Sequence, residues 1–183
     1  DRTLVISHQG RALTTAEKMT LGDGRFNSSK LAELVDAGKV RLEWRPTLFL
    51  DANLKAQNTA AGNPLSSLHA TMAFGCAVDA GKAIDFHKAT FAAQPTTEGQ
   101  GYSNADLTGI AQTAGFSAQE LTTFMECLTN QTYKDWANNS YDKFSKEGVT
   151  STPTGFLNGT EVKSDDMFDP TALEAAILAA TKS

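Results

Sequence analysis

The sequence predicts an α/β fold whose sheet is assembled from both chain ends, with a block of helices between them. Three observations carry this. Short apolar or alternating runs fall at 3–8, 39–44 and 155–162. From Asn63 to Gly148 the apolar spacing is helical and no convincing strand occurs. After Asn158-Gly159, a strong hairpin turn, the chain closes on one more helix. A sheet drawn from both ends must leave the middle block as an inserted layer.

The elements follow in order. Thr3–His8 reads as a strand, and 12–17 could form a second. Residues 20–27 are glycine-punctuated and read as a loop or a helix start. Ser28–Ala37 has helical spacing at Leu31, Leu34 and Val35, and Gly38 fits the stop. Lys39–Trp44 places Val40, Leu42 and Trp44 on one side of a strand. Leu48–Leu50 is expected to continue it at an edge beyond Pro46. Asn63-Pro64 reads as a helix cap followed by a proline in the first turn. Leu65, Leu68, Met72 and Cys76 follow, and then a helix over 84–93. Ser103-x-x-Asp106 and Ser117-x-x-Glu120 are capping boxes opening helices with Leu107, Ile110 and Ala114, then Leu121, Phe124, Met125 and Leu128. Tyr133–Glu147 makes a longer helix closed by Gly148. Gly155–Leu157 and Thr160–Val162 are the hairpin strands, and Asp169-Pro170 opens the last helix.

Composition narrows the function classes. Of 183 residues, 40% are hydrophobic and 20% charged, which suits a globular protein rather than a disordered one. Lys plus Arg is 16 against 21 acidic residues, a net charge of −5 with no basic cluster, so nucleic acid is not expected as a partner. No run of eighteen apolar residues exists, so no membrane span is expected. His8, His69 and His87 share no helical face, and the two cysteines lie far apart, so neither a metal site nor a cofactor is expected. The histidines read as surface or packing residues. Asp85 and Glu98 show no paired-carboxylate pattern, and no nucleophile elbow, phosphate loop or dinucleotide fingerprint occurs. The chain starts at Asp1 rather than Met without a signal-like segment, so a mature or trimmed form is expected, any leader or anchor preceding it.

Several stretches resemble one family. Val149-Thr-Ser-Thr152-Pro153-Thr-Gly-Phe-Leu-Asn-Gly159 is similar to the cis-proline loop of the DsbA-like branch of the thioredoxin superfamily. Residues 34–46 resemble the end of its first active-site helix and the next strand, and residues 80–91 its insertion helices. The phrasing is most similar to secreted actinobacterial members. The resemblance implies a thioredoxin fold with an inserted helical subdomain. Residues 1–62 and 149–183 would form a discontinuous thioredoxin-like domain, and 63–148 the insertion.

The departure from the family is at its chemistry. Active members carry Cys-x-x-Cys at the start of the first long helix. The corresponding stretch here is Leu21-Gly22-Asp23-Gly24, with Phe26 in the place of the usual aromatic, and no cysteine occurs before Cys76. Thiol–disulfide exchange needs a thiolate attacking a disulfide sulfur, and leucine and glycine supply neither nucleophile nor leaving group. The resemblance places Cys76 and Cys127 like the non-catalytic disulfide of some secreted members; a pair of buried free thiols is the alternative. It also implies a cis Thr152–Pro153 bond facing 21–24, with Ser151 and Thr152 offering backbone to an extended peptide. Asp23 would interact with the helix dipole.

The expectation is therefore a redox-inactive, secreted or cell-envelope, monomeric homologue. It would bind a peptide, an envelope protein or a small ligand, or assist folding. The rival is an oxidoreductase that uses an atypical cysteine, or an inactivated form of an active one. A structural module of a longer chain is the third reading.

Overall fold

The computed structural model describes residues 34, 37–41, 43, 45–53, 55–60, 62, 65–97, 100–150, 154–163, 165–166 and 169–180. They belong to two compact units. One is Arg45–Glu147, and the other comes from the chain on either side of it. The expected strands at 3–8 and 12–17 lie outside the described residues.

The unit Arg45–Glu147 is helical. In order it contains α1 (Phe49–Asn53), α2 (Lys55–Ala60), α3 (Ser66–Asp79), α4 (Ala83–Ala92), α5 (Asn104–Thr113), α6 (Ala118–Thr129) and α7 (Lys134–Lys146). Helix α3 is the centre, with α1, α4, α5, α6 and α7 all packing against it. It is buried nearly all round, from Ser66 and Leu68 through the run Thr71–Ala77, as a helix enclosed by others must be. Its polar first turn is satisfied from elsewhere. The Asp51 carboxylate on α1 accepts from the backbone N–H of Ser67 at 2.7 Å and of Leu68 at 2.9 Å.

Two expectations are corrected here. Leu48–Leu50 does not continue a strand: Leu48 is buried and α1 begins at Phe49. Helical geometry places Asp51 where it can cap α3, a role no edge strand would give it. Nor is Asn63 the cap of α3. The cap position is Leu65, whose side chain accepts nothing, and Asp51 takes over that task.

The remaining helix ends follow local rules. Ser103 and Ser117 form reciprocal capping boxes with Asp106 and Glu120 at α5 and α6. Helices α3, α5 and α6 each end in paired backbone bonds around a left-handed residue: Gly81, Gly115 and Gln131. Gly115 directs Phe116 back into the core. There Phe86, Phe116 and Phe124 meet with ring centroids 5.4 to 6.3 Å apart. At the chain ends of the unit, Arg45 Nη1 donates to both Glu147 carboxylate oxygens, at 3.0 and 3.1 Å. Ser140 Oγ donates to the Pro46 carbonyl at 2.9 Å.

In the other unit, β1 (Phe156–Leu157) and β2 (Thr160–Glu161) pair antiparallel in the register Phe156↔Glu161 and Leu157↔Thr160. Asn158 and Gly159 both have positive φ, 50° and 81°, as the tight hairpin turn demands. Helix α8 (Pro170–Ala180) is capped by Asp169, whose Oδ1 accepts from the Thr171 and Ala172 N–H groups. Leu173 and Ile177 on α8 form a small core with Leu34, Val40, Leu157 and Val162. Leu34 is helical, and Lys39 N–H returns to its carbonyl at 2.9 Å across left-handed Gly38, the stop expected for that helix. Of the expected strand 39–44, only Glu43 makes a bridge among the described residues.

Candidate functional site

The sequence points to two segments as the sides of a groove. Leu21, Gly22, Asp23 and Gly24 lie outside the described residues, and so do Ser151, Thr152 and Pro153. His8 and Phe26 do as well. What is described of the proline loop is its way out: Thr154 and Gly155 are half-buried and lead directly into β1.

The sulfur chemistry is fully placed. Cys76 on α3 and Cys127 on α6 form a disulfide with Cα atoms 5.9 Å apart and 51 positions between them. The sequence holds two cysteines, so this one bridge uses all the thiols of the chain. Helices α3 and α6 pack directly on one another, and Ala73 and Ala77 on α3 and Phe124 and Leu128 on α6 are all buried. The two cysteines differ in exposure: Cys76 is buried at 3%, whereas Cys127 is half-buried.

Other titratable groups have structural duties. His69 Nδ1 lies 3.1 Å from the Tyr102 carbonyl. Tyr102 in turn donates its hydroxyl to the Thr90 carbonyl at 2.8 Å, and burial raises its pKa. His87 sits between Phe74 and Phe91, with ring centroids 6.0 and 4.7 Å away. Desolvation pushes its pKa down to about 4, so it is neutral at pH 7. The Asp106 carboxyl is held low by the side-chain and backbone hydrogen bonds of Ser103, and Glu120 by the backbone and side chain of Ser117. Each is a capping group at the start of its helix. Among the described residues no three His, Cys, Asp or Glu side chains converge to hold a metal ion. No helix among them is long and apolar enough to cross a membrane.

One concave surface was not expected. Leu121, Thr122, Met125, Glu126, Thr129 and Asn130 line an open groove along α6. The sequence pattern marked Leu121, Phe124, Met125 and Leu128 as the apolar residues of this helix. In the structure Phe124 and Leu128 turn inward, while Leu121 and Met125 form a separate half-buried row. The signal was the width of the apolar set, two i,i+4 pairs of which only Phe124 and Leu128 are buried.

Comparison with known proteins gives one match. A family model described as thioredoxin covers residues 27–178. The match starts after 21–24, includes the proline loop and both cysteines, and ends within α8. No curated protein and no solved structure matches the chain.

Proposed function

The chain belongs to the thioredoxin family, and from that premise we propose a DsbA-like protein of the cell envelope that keeps the scaffold of a thiol–disulfide oxidoreductase without its catalytic dithiol. The observation that carries the proposal is the Cys76–Cys127 bridge. Exchange needs one thiolate to attack and a second to resolve the mixed disulfide. With both cysteines of the chain committed to joining α3 and α6, neither is available three positions from the other at a helix start. On this reading Leu21–Gly24 is the vestige of the motif. Ser151, Thr152 and Pro153 retain the peptide-facing loop, so an extended segment of a peptide or envelope protein pairs with backbone rather than with sulfur. A disulfide as the resting state of both cysteines also accords with an oxidising compartment.

A second reading has its own support. Cys127 is half-buried, so a small thiol could reach its sulfur and the bridge itself could exchange. Two measurements decide. Thiol titration of protein denatured without reductant should find no free thiol. Insulin reduction by dithiothreitol should proceed at the uncatalysed rate in its presence. Turnover abolished by Cys127→Ser would establish the second reading and end the first.

A further inference from the structure

We propose that Met125 is a peroxide-sensitive site whose sulfoxide is received by Thr108, so that oxidation turns the apolar wall of the α6 groove polar while the helices stay packed. Three observations converge. Met125 is half-buried and lines the open groove with Leu121 and Thr129, so an oxidant reaches it from solvent. Its Sδ lies 3.1 Å from Thr108 Oγ1 on the neighbouring α5. That hydroxyl also lies 2.7 Å from the Asn104 carbonyl of its own helix. A threonine hydroxyl has one hydrogen, so it serves one of these acceptors at a time. A carbonyl oxygen is a stronger acceptor than a thioether, and Asn104 holds the hydrogen while Met125 is reduced.

Oxidation reverses this preference. A sulfur lone pair attacks the distal oxygen of a hydroperoxide, the O–O bond breaks and an S–O bond forms. Sulfur is oxidised by two electrons, and the peroxide oxygen that leaves takes a proton as water or an alcohol. The new sulfoxide oxygen is a strong acceptor beside a donor already placed at the sulfur. Thr108 can rotate its hydrogen to it, since the Asn104 carbonyl, inside the α5 ladder, keeps the backbone N–H four residues on when the hydroxyl leaves. The sulfoxide is therefore satisfied, and the groove between Leu121 and Thr129 gains a dipole.

Met72 provides the internal control, because it is buried on α3 at 5% exposure. The folded chain is treated with hydrogen peroxide and each methionine followed by peptide mass mapping. Met125 should convert at least about ten-fold faster than Met72. The melting temperature is then read before and after oxidation in wild type, Thr108→Val and Met125→Leu. Wild type should lose little. Thr108→Val should lose about 3 °C more on oxidation, its sulfoxide lacking the hydroxyl. Met125→Leu should show no such excess. Equal oxidation rates for Met72 and Met125, or an equal oxidation-induced shift in wild type and Thr108→Val, would overturn the proposal.

Discussion

The Tyr133 ring occupies the space that a side chain on Gly75 would need. A Cβ at Gly75 would stand 2.6 Å from Cδ1 and 2.8 Å from Cδ2 of that ring. Gly75 is thus a contact surface in mid-helix, where glycine otherwise costs stability. It lets the start of α7 lie against α3 with the Tyr133 hydroxyl donating to Asp79 Oδ1 at 2.5 Å.

Gly75→Ala should therefore destabilise the protein by about 1–3 kcal/mol, despite alanine's better helix propensity. Denaturant unfolding measures it. The cause is tested by repeating the substitution with Tyr133→Ala, where the space is empty. There the alanine should cost much less or become favourable. An unchanged cost would mean that the ring is not the obstacle.

Gln131 predicts the opposite sign. It holds φ at 52° in the turn that ends α6, where Gly81 and Gly115 serve the equivalent turns. A side chain in the left-handed region costs about 1 kcal/mol, and what Gln131 receives is an exposed hydrogen bond from Lys134 Nζ at 3.1 Å. Gln131→Gly should raise the stability by about 0.5–1 kcal/mol, read as a higher melting temperature. A lower one would mean that the Lys134 contact outweighs the backbone strain.

His87 sets an acid limit. Its folded pKa, about 4, lies below the ordinary 6.5 because burial beside Phe74 and Phe91 disfavours the charged ring. Between those values the unfolded chain binds the proton and the folded chain does not, so stability rises with pH there. The contribution is complete above about pH 6.5 and is lost as pH falls toward 4, by up to about 3 kcal/mol. His87→Leu removes the titration. Subtracting its stability profile from that of wild type should leave a slope confined to this window. A flat difference would show that the folded and unfolded rings titrate alike.

What was legible in the sequence was what local chemistry decides. The capping boxes at Ser103 and Ser117, the Asn158-Gly159 turn, Asp169 ahead of Pro170 and the glycine stops at Gly38 and Gly115 are each fixed within five residues of chain. What was not legible depends on partners distant in sequence. Helix α1 has no apolar period, and its Asp51 acts on Ser67 and Leu68, 16 and 17 positions on. Gly75 reads as an ordinary helix weakness until Tyr133 is placed against it. The bridge between Cys76 and Cys127 came from family resemblance, since spacing alone cannot distinguish a cystine from two thiols.

The last prediction restores the lost chemistry. If Leu21–Gly24 corresponds to the family's active-site motif, Leu21→Cys with Gly24→Cys should place two thiols three positions apart at a helix start. The thiol nearer the helix N-terminus should titrate below the free value of about 8.5, because the positive end of the dipole favours the thiolate. The wild type should not catalyse insulin reduction, its cysteines being joined between α3 and α6. The double variant should close a 21–24 disulfide and turn over substrate measurably. Its rate should stay modest, since Asp23 between the new thiols opposes thiolate formation, and adding Asp23→Asn should raise it. Either single variant should trap mixed disulfides without turnover, having no resolving partner. The Cys76–Cys127 bridge should persist throughout, as peptide mapping under non-reducing conditions would show. A double variant that folds with both new thiols free under oxidising conditions would show that the motif lies elsewhere in the chain, while wild-type turnover would refute redox inactivity itself.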